Sequence, residues 1–317
     1  MKRLLAATFL FLVTLGVAAP DAARKPATIA PGVQVAGVSI GGLTSEPART
    51  RIEKAFGRPL RLRFGSKRWR ISPRYLGANA AIDKAIARAL DAGPRARVSL
   101  EVSAARPRIR RYVQRLDRLF SREPVDSTVT GVVRGRPAFT RPKAGLAVRR
   151  DEMTNAIAYM LKTNQRTSLP LLTTSVPADV TPETFGPVVV VFRESNRLTL
   201  FDGRRALRSF GIATGTAQYP TPLGNYSIAT MQRDPWWIPP PDSDWAQGKK
   251  PVPPGPGNPL GTRWMGTTAP LVGIHGTPDA ASIGYSASHG CIRMRVPDAE
   301  TLFGEVSVGT PVLIVAS

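Results

Sequence analysis

The residue types best suited to covalent catalysis are confined to one short stretch of this chain. Cys291 is its only cysteine, and His275 and His289 are its only histidines. A thiolate is a strong nucleophile, and a nearby imidazole can take its proton and later return it to a leaving group. Gly276, Ser288 and Gly290 flank these residues, and Gly and Ser favour exposed tight turns. The spacing therefore predicts a cysteine and histidine nucleophilic site in preference to a buried structural thiol beside core histidines.

The amino terminus has the pattern of a secretory signal. Lys2 and Arg3 form a positive region, residues 4–17 are apolar, and small residues around Ala18 suit a cleavage site. We expect residues 1–24 to be a signal peptide or a membrane anchor, and the protein to be exported to the cell wall or periplasm. The apolar run is shorter than the ~20 residues of a bilayer span. In an oxidising compartment a solitary cysteine either pairs with another chain or stays free for chemistry.

Charge divides the chain into two parts. The net charge is +22, and about +20 of it falls in residues 1–186. Such a field attracts the polyanions that an exported protein meets, namely wall polymers, anionic lipid surfaces and extracellular nucleic acid. The alternative is a solvated basic surface that reflects a codon preference for arginine. The length of 317 residues also favours two or three domains after the signal.

The basic region contains a loose internal repetition. Residues 63–77 indicate a strand, a glycine-centred turn and a second strand, and residues 80–90 follow with an amphipathic helical pattern. The same order returns over residues 133–161, and residues 108–120 predict a further helix. This arrangement resembles the peptidoglycan-binding domains that precede the catalytic domains of exported wall enzymes. Residues 30–183 are therefore predicted to be a wall-binding region of two repeated units.

From Gly186 onward the pattern is that of short strands. Residues 188–192 form an apolar run, and residues 197–201 alternate as its hairpin partner should. Further strands are predicted at 207–213, 226–230, 270–275 and 311–315, with one helix at 297–303. Residues 187–317 should thus form a mainly-β domain. Within it, residues 234–264 are rich in proline and tryptophan, which favours a functional loop lining a substrate groove over a flexible linker.

Residues 187–317 resemble the L,D-transpeptidase catalytic domain of the YkuD family, whose signature places a His ahead of Ser or Thr, His, Gly and Cys. His275 precedes Ser288-His289-Gly290-Cys291 at the matching spacing. Supporting segments lie at 211–215, 221–226, 255–261 and 309–314. The resemblance implies an α+β protein with a mainly-β catalytic domain at the carboxyl end and an α/β repeat-like wall-binding region before it.

The resemblance also implies a reaction. In this family the cysteine attacks the carbonyl between the third residue of a peptidoglycan stem, a diamino acid, and the terminal D-Ala. A thioacyl enzyme forms, D-Ala leaves, and an amine of a neighbouring stem takes the acyl group to give a cross-link between third-position residues. The implied partners are stem peptides and anionic wall polymers, with no nucleic acid, metal or cofactor.

The resemblance implies a role for each residue of this sequence that matches a position of the family signature. Cys291 is the nucleophile, and His275 is the general base and acid. Gly276 has no side chain, so only its carbonyl can orient the imidazole. The amides of Gly290 and Cys291 would form the oxyanion hole. His289 is assigned to shaping the site and Ser288 to fixing the turn.

Three further residues are expected to contact substrate. Arg293 suits a substrate carboxylate, although it is equally able to join a structural ion pair. Trp264 belongs to the tryptophan-rich segment, and Tyr226 ends the motif that begins at Thr221.

Other functions stay open at this stage. A cysteine peptidase of a different fold usually places its cysteine before its histidine, the reverse of the order here. A zinc site from His275, His289 and Cys291 would consume the only thiol. A non-catalytic wall-binding protein and an L,D-carboxypeptidase remain alternatives, because acylation is common to transfer and hydrolysis. These residues also leave open protein attachment to the wall, the diamino acid of the stem, signal cleavage and oligomeric state.

Overall fold

A computed structural model describes residues 27–241 and 243–316. The predicted signal or anchor, residues 1–24, lies outside the described residues. The described chain forms two compact units, one of residues 27–116 and 149–172 and the other of residues 117–148 and 173–316. No helix in these ranges is long and apolar enough to cross a membrane. The functional boundary between a wall-binding region at 30–183 and a catalytic domain at 187–317 stays a prediction.

The elements that precede residue 180 are short. In chain order they are β1 Gln34–Val35, β2 Val38–Ser39, α1 Ser45–Gly57, β3 Leu60–Phe64, β4 Lys67–Ile71, β5 Ala78–Ala80, α2 Ile82–Leu90, β6 Arg97–Val98, β7 Val102–Ala104, α3 Arg106–Phe120, β8 Val129–Val133, β9 Arg136–Phe139, β10 Gly145–Val148, α4 Arg150–Lys162, β11 Ser168–Pro170 and β12 Thr173–Val176.

The first unit is built from amphipathic helices and small sheets. On α2 the residues Ala85, Ile86 and Ala89 are buried in one cluster with Ile52 of α1, as a helical period places them. Strand β3 pairs antiparallel with β4 and parallel with β11. Its leucines are buried and its arginines are exposed, because side chains alternate between the two faces of a strand.

The repeated order of elements is present in the structure. The sequence strand, turn, strand, strand and helix occurs as β3, β4, β5 and α2, and again as β8, β9, β10 and α4. Gly65 and Gly135 occupy the two turns with φ of 54° and 72°, a region that favours glycine. Strands β8 to β10 belong to the second unit and α4 to the first. The repeat is therefore a repeated order of elements, and its second copy is divided between the two units.

The remaining elements form the mainly-β part of the second unit. They are β13 Pro187–Phe192, β14 Arg197–Asp202, β15 Arg205–Gly215, β16 Gly224–Arg233, β17 Arg263–Thr267, β18 Gly273–Thr277, β19 Ser286–Ser288, β20 Ile292–Arg295, α5 Val296–Glu305 and β21 Pro311–Val315.

In the described chain, nine of these strands form one sheet in the order β14-β13-β21-β16-β17-β18-β20-β15-β19. Because β14 also pairs with β15, the sheet closes into a barrel with β19 outside the ring. Alternate residues such as Val189, Val191 and Ile274 fill its core, and Leu302 of α5 belongs to the same cluster. The mainly-β fold and the hairpin of β13 and β14 confirm the sequence prediction.

Two details differ from the sequence prediction. The strand expected at 270–275 begins at Gly273, because the backbone turns at Leu271, where φ is 61°. The loop expected at 234–264 contains a short 3-10 helix at Asp244–Ala246 and ends before Trp264, which lies in β17. Strand pairing with β16 and β18 places Trp264 in the barrel wall.

Candidate active site

A cavity of about 700 Å³ in the second unit brings most of the predicted site residues together. Those that line it are His275, His289, Cys291, Ser288, Arg293 and Trp264. Tyr226 is placed elsewhere. It lines a separate cavity of about 360 Å³ with Thr128 and Phe185, and its hydroxyl donates to the Leu223 carbonyl at 3.1 Å. Tyr226 does not line the first cavity, and its contact with substrate stays a prediction.

Parallel pairing explains how distant positions meet at this cavity. Strands β18 and β20 are parallel neighbours, with Ile274 opposite Ile292 and His275 opposite Arg293. Cys291 immediately precedes β20, so it lies at the same end of the strand pair as the start of β18. The residues between the two strands include β19, which pairs with β15.

His275 is held as a neutral ring. Its Nδ1 lies 2.6 Å from the carbonyl oxygen of Gly276, so Nδ1 donates and Nε2 is left as the proton acceptor. Burial lowers the pKa of His275 to about 4, against a raising effect of the Gly276 carbonyl, and the charge of Arg293 lowers it further. At neutral pH the imidazole is therefore unprotonated and able to act as a base.

The Cys291 thiol is also neutral. Burial raises its pKa, while a backbone hydrogen bond from Gly273 and the charge of Arg293 act in the opposite direction. In this state Sγ donates to the Leu271 carbonyl at 3.6 Å. A neutral thiol that shares a cavity with a neutral imidazole is suited to general-base activation during attack, in contrast to a preformed thiolate and imidazolium pair.

A hydrogen-bonded turn holds Cys291. Ser288 Oγ donates to the Cys291 carbonyl at 2.6 Å and accepts the Gly290 amide at 3.1 Å. Gly290 has φ of 111°, which a residue with a Cβ adopts only with strain. Because the Gly290 amide is bound to Ser288, the Cys291 amide is the better candidate for the first oxyanion donor.

Thr221 is a residue of this site that the sequence did not reveal. Its buried hydroxyl donates to the Gly290 carbonyl at 2.8 Å and accepts the Gly215 amide at 2.9 Å. The Gly290 carbonyl and the Cys291 N–H belong to one planar trans peptide and point in opposite directions. Fixing the carbonyl therefore fixes the direction of the Cys291 N–H. No local spacing indicates this, because the hydroxyl acts across strands far apart in the chain.

Trp264 covers the base. Its ring stacks on the His275 imidazole with centroids 5.8 Å apart and planes at 29°, as expected for residues directly opposite in register. Gly273 makes room for the indole, because a Cβ there would lie 2.2 Å from a Trp264 ring atom. The indole thus shields His275 and contributes to the burial that keeps it neutral.

His289 lies between two aromatic rings. Trp245 stacks on it with centroids 4.2 Å apart and planes at 19°, and Tyr219 contacts it at 5.0 Å. The Tyr219 hydroxyl donates to Asp244 at 2.8 Å, which connects this stack to the 3-10 helix of the proline-rich loop. His289 therefore forms part of the cavity wall, and the proton-transfer role of His275 stays a prediction.

Arg293 fits both of its predicted roles. Its side chain is half-buried and lies 4.0 Å from Asp279, at the limit of an ion pair. It also lines the cavity. Among the described residues, no cluster of three His, Cys, Asp or Glu side chains is arranged to hold a metal ion.

Comparison with known proteins identifies the family of the part of the chain that holds this cavity. The profile of the YkuD L,D-transpeptidase catalytic domain matches residues 186–314. Over 134 residues the chain is 34% identical to the L,D-transpeptidase-family protein YqjB of Bacillus subtilis, covering 40% of this chain and 70% of the relative. Over 139 residues it is 32% identical to YkuD of the same organism, covering 44% of this chain and 72% of the relative.

Solved structures show a weaker likeness. A crystal structure of an Enterococcus faecium L,D-transpeptidase mutant shares 16% identity with this chain at a TM-score of 0.37, covering 84% of this chain and 99% of the other. The sequence matches define an L,D-transpeptidase catalytic domain at residues 186–314. The chain belongs to the YkuD family, whose members act on the stem peptides of peptidoglycan.

Proposed function

We propose that this protein is an exported L,D-transpeptidase that cross-links third-position residues of stem peptides through a thioacyl intermediate on Cys291. The observation that supports this most directly is the common cavity of Cys291 and His275, in which Gly276 orients the imidazole and leaves Nε2 to accept a proton.

In the first half-reaction Sγ attacks the carbonyl that joins the third residue to D-Ala. His275 takes the thiol proton as the bond from sulfur to carbon forms, and the Cys291 amide donates to the developing oxyanion. The imidazolium then protonates the departing amine, the carbon–nitrogen bond breaks, and D-Ala leaves. The low pKa of His275 makes its imidazolium a strong acid for this step.

The second half-reaction reverses these proton transfers. An amine of a neighbouring stem attacks the thioester and gives its proton to His275, and the carbon–sulfur bond breaks. The thiolate recovers its proton from the imidazolium. Water in place of the amine would make the enzyme an L,D-carboxypeptidase, and the amine of another protein would attach that protein to the wall.

Replacement of Cys291 by Ala tests the mechanism. We expect Cys291→Ala to release no D-Ala from tetrapeptide-containing peptidoglycan while its circular dichroism and unfolding midpoint stay those of the parent. Mass spectrometry of the muropeptides distinguishes the cross-linked from the hydrolysed product. Turnover by the variant at the parent rate would refute the thioacyl route.

We also propose that the basic amino-terminal region binds anionic wall polymers. On β3 and β4 four exposed arginines share one face, with Arg61 opposite Arg70 and Arg63 opposite Arg68. Like charges placed opposite each other destabilise a sheet, and a bound polyanion relieves the repulsion. Guanidinium groups also bind phosphate and carboxylate in a two-pronged geometry.

The full chain is the appropriate material for testing this proposal. A fragment ending at 186 would uncover Val129, Val132 and Phe139, which pack against buried residues of β13, β14 and β21. We expect the full chain to sediment with insoluble cell wall, and to do so less as salt rises. Binding that is independent of salt would indicate saccharide recognition instead.

A further inference from the structure

One wall of the cavity that holds Cys291 is a single loop. Residues 234–262 connect β16 to β17, and Trp237, Trp245 and Leu260 are among the loop residues that line the cavity. The position of this loop relative to the barrel therefore sets the width of the cavity. A loop of this length keeps one position only where contacts hold it, because each ordered residue loses conformational entropy.

The interior of the loop is held by a buried amide. Nine prolines lie in the loop, and proline has no N–H with which to satisfy a neighbouring carbonyl. Asn258 is 1% exposed, and its side-chain amide donates to the carbonyls of Pro235 at 2.8 Å and Pro253 at 3.0 Å. Its Oδ1 accepts the Leu260 amide at 2.8 Å. The described part of the loop is thus tied together internally, so its position depends on its attachments to the barrel.

The two ends of the loop meet beside α5. The Asp234 amide donates to the Thr262 carbonyl at 2.9 Å. Oε1 of Glu300, on α5, accepts the Thr262 hydroxyl at 2.8 Å and lies 3.7 Å from the Arg263 guanidinium. One carboxylate therefore contacts both the last residue of the loop and the first residue of β17.

Two arginines lie close together beside Glu300. The guanidinium groups of Arg233 and Arg263 are 5.3 Å and 5.5 Å from the ring centroid of Phe303, which follows Glu300 by three residues on α5. The Arg263 side chain is mostly buried, and its other acidic neighbour, Asp234, is 3.9 Å away and more exposed than Glu300. Glu300 therefore offsets most of the repulsion between the arginines, since a closer and less exposed carboxylate interacts more strongly.

We propose that Glu300 is a positioning residue for the cavity. By holding Thr262 and Arg263 against α5, it keeps the loop where its tryptophans shape the cavity for the donor stem. Glu300 is not among the described residues that line the cavity, so it acts through the loop and not on the substrate. This inference rests on the transpeptidase function proposed above.

Replacement of Glu300 by alanine removes both contacts. For release of D-Ala from soluble tetrapeptide fragments of peptidoglycan, we expect KM to rise about 3- to 10-fold at unchanged kcat, because the donor binds only the fraction of molecules whose loop is in place. The effect is moderate, since Glu300 is partly exposed and the stacking of Trp245 on His289 also holds the loop. Glu300→Gln keeps an acceptor for the Thr262 hydroxyl and should give a smaller rise.

Two further variants separate positioning from general loss of stability. Thr262→Val removes the same hydrogen bond from the other side, so the double variant with Glu300→Ala should raise KM by less than the two single effects combined. The matched control is Glu305→Gln, which removes the same charge from α5 at a residue whose side chain forms no ion pair or hydrogen bond with the described residues. It should leave KM unchanged, and a rise equal to that of Glu300→Ala would overturn the assignment.

Hydrogen–deuterium exchange read by mass spectrometry tests the loop independently of activity. The Trp237 and Val252 amides donate to each other's carbonyls at 3.0 Å and 2.9 Å. In Glu300→Ala they should exchange faster, while the amides of β13 and β21 keep the parent rate. Unchanged exchange, faster exchange at unchanged KM, or a fall in kcat alone would overturn the positioning role. Absence of D-Ala release by the parent itself would refute the proposed function, and the exchange rates would still show whether Glu300 holds the loop.

Discussion

Replacement of Thr221 by valine removes one hydroxyl at the centre of the nucleophile turn and conserves the shape of the side chain. The change deletes the hydrogen bond to the Gly290 carbonyl at 2.8 Å and the one accepted from the Gly215 amide at 2.9 Å. Thr221 is 0% exposed, so water cannot replace either bond without rearrangement. We expect the turn to be less stable and the Cys291 N–H to point in a less defined direction.

The two effects have separate magnitudes. A buried amide without an acceptor costs about 1–3 kcal/mol, which we expect as the loss in free energy of unfolding. Removing an oxyanion donor outright slows catalysis by about 100- to 1000-fold, and a misplaced donor should slow it less. We expect kcat for D-Ala release to fall roughly 10- to 100-fold, which corresponds to about 1.4–2.7 kcal/mol of activation free energy.

Two matched variants separate positioning from general destabilisation. Thr221→Ser keeps the hydroxyl and should recover most of the rate. Thr199→Val removes another buried hydroxyl of the same unit, one that is hydrogen-bonded to Ser209 at 2.8 Å on the β14–β15 pair, and should lower stability with kcat unchanged. Unfolding is followed by urea denaturation and acylation by the mass increase of the protein with a slow thioacylating substrate.

One result would refute the reasoning about Thr221. If Thr221→Val lost stability as calculated but kept the parent kcat, the orientation of the Gly290–Cys291 peptide would be set by Ser288 alone. The oxyanion would then not depend on the Thr221 hydroxyl.

Further predictions concern protonation, the two histidines, Arg293 and metal. Because the pKa of His275 is lowered to about 4, its proton-accepting form persists at acidic pH. The rate of D-Ala release should therefore hold to about pH 5 and fall as the pH drops through about 4. A fall near pH 6.5 would indicate a base with an unperturbed pKa. His275→Ala should lower acylation at pH 7 by about 100- to 10,000-fold. His289→Ala should be milder, and the reverse order would exchange their roles. Arg293→Ala should chiefly raise KM for the donor. Treatment with EDTA should leave the rate unchanged, and a loss restored by zinc would contradict a metal-free reaction.

The sequence predicted the strands and the helix whose signals lie within a few neighbouring residues. The apolar run at 188–192 and the alternation at 197–201 became the hairpin of β13 and β14, and the acidic start after Pro297 became α5. Strands β19 and β20 were not predicted, since they are short and pair with β15, which is distant in sequence, and β17 was missed because it begins in the segment predicted to be a loop. Closure of the barrel also needs the pairing of β13 with β21 and of β15 with β20, whose partners are far apart in the chain, so no local window contains it.

The candidate site likewise contains residues that the sequence indicated and residues that it did not. The clustering of Cys291 with His275 and His289 was readable because these residue types occur nowhere else in the chain. The role of Thr221 was not readable, although it begins a family-like segment, because its contact with the Gly290 carbonyl depends on how two distant segments meet. Tyr226 lines another cavity, and its predicted substrate contact stays a prediction.

The neutral state of Cys291 also suits a single free cysteine if the protein is exported as proposed. Oxidants and disulfides react with thiolates, and burial raises the pKa of Cys291 so that little thiolate forms at neutral pH. We therefore expect the thiol to react slowly with adventitious oxidants at neutral pH. Trp264 stacks on the imidazole and helps to exclude water from it, and this burial lowers the pKa of His275.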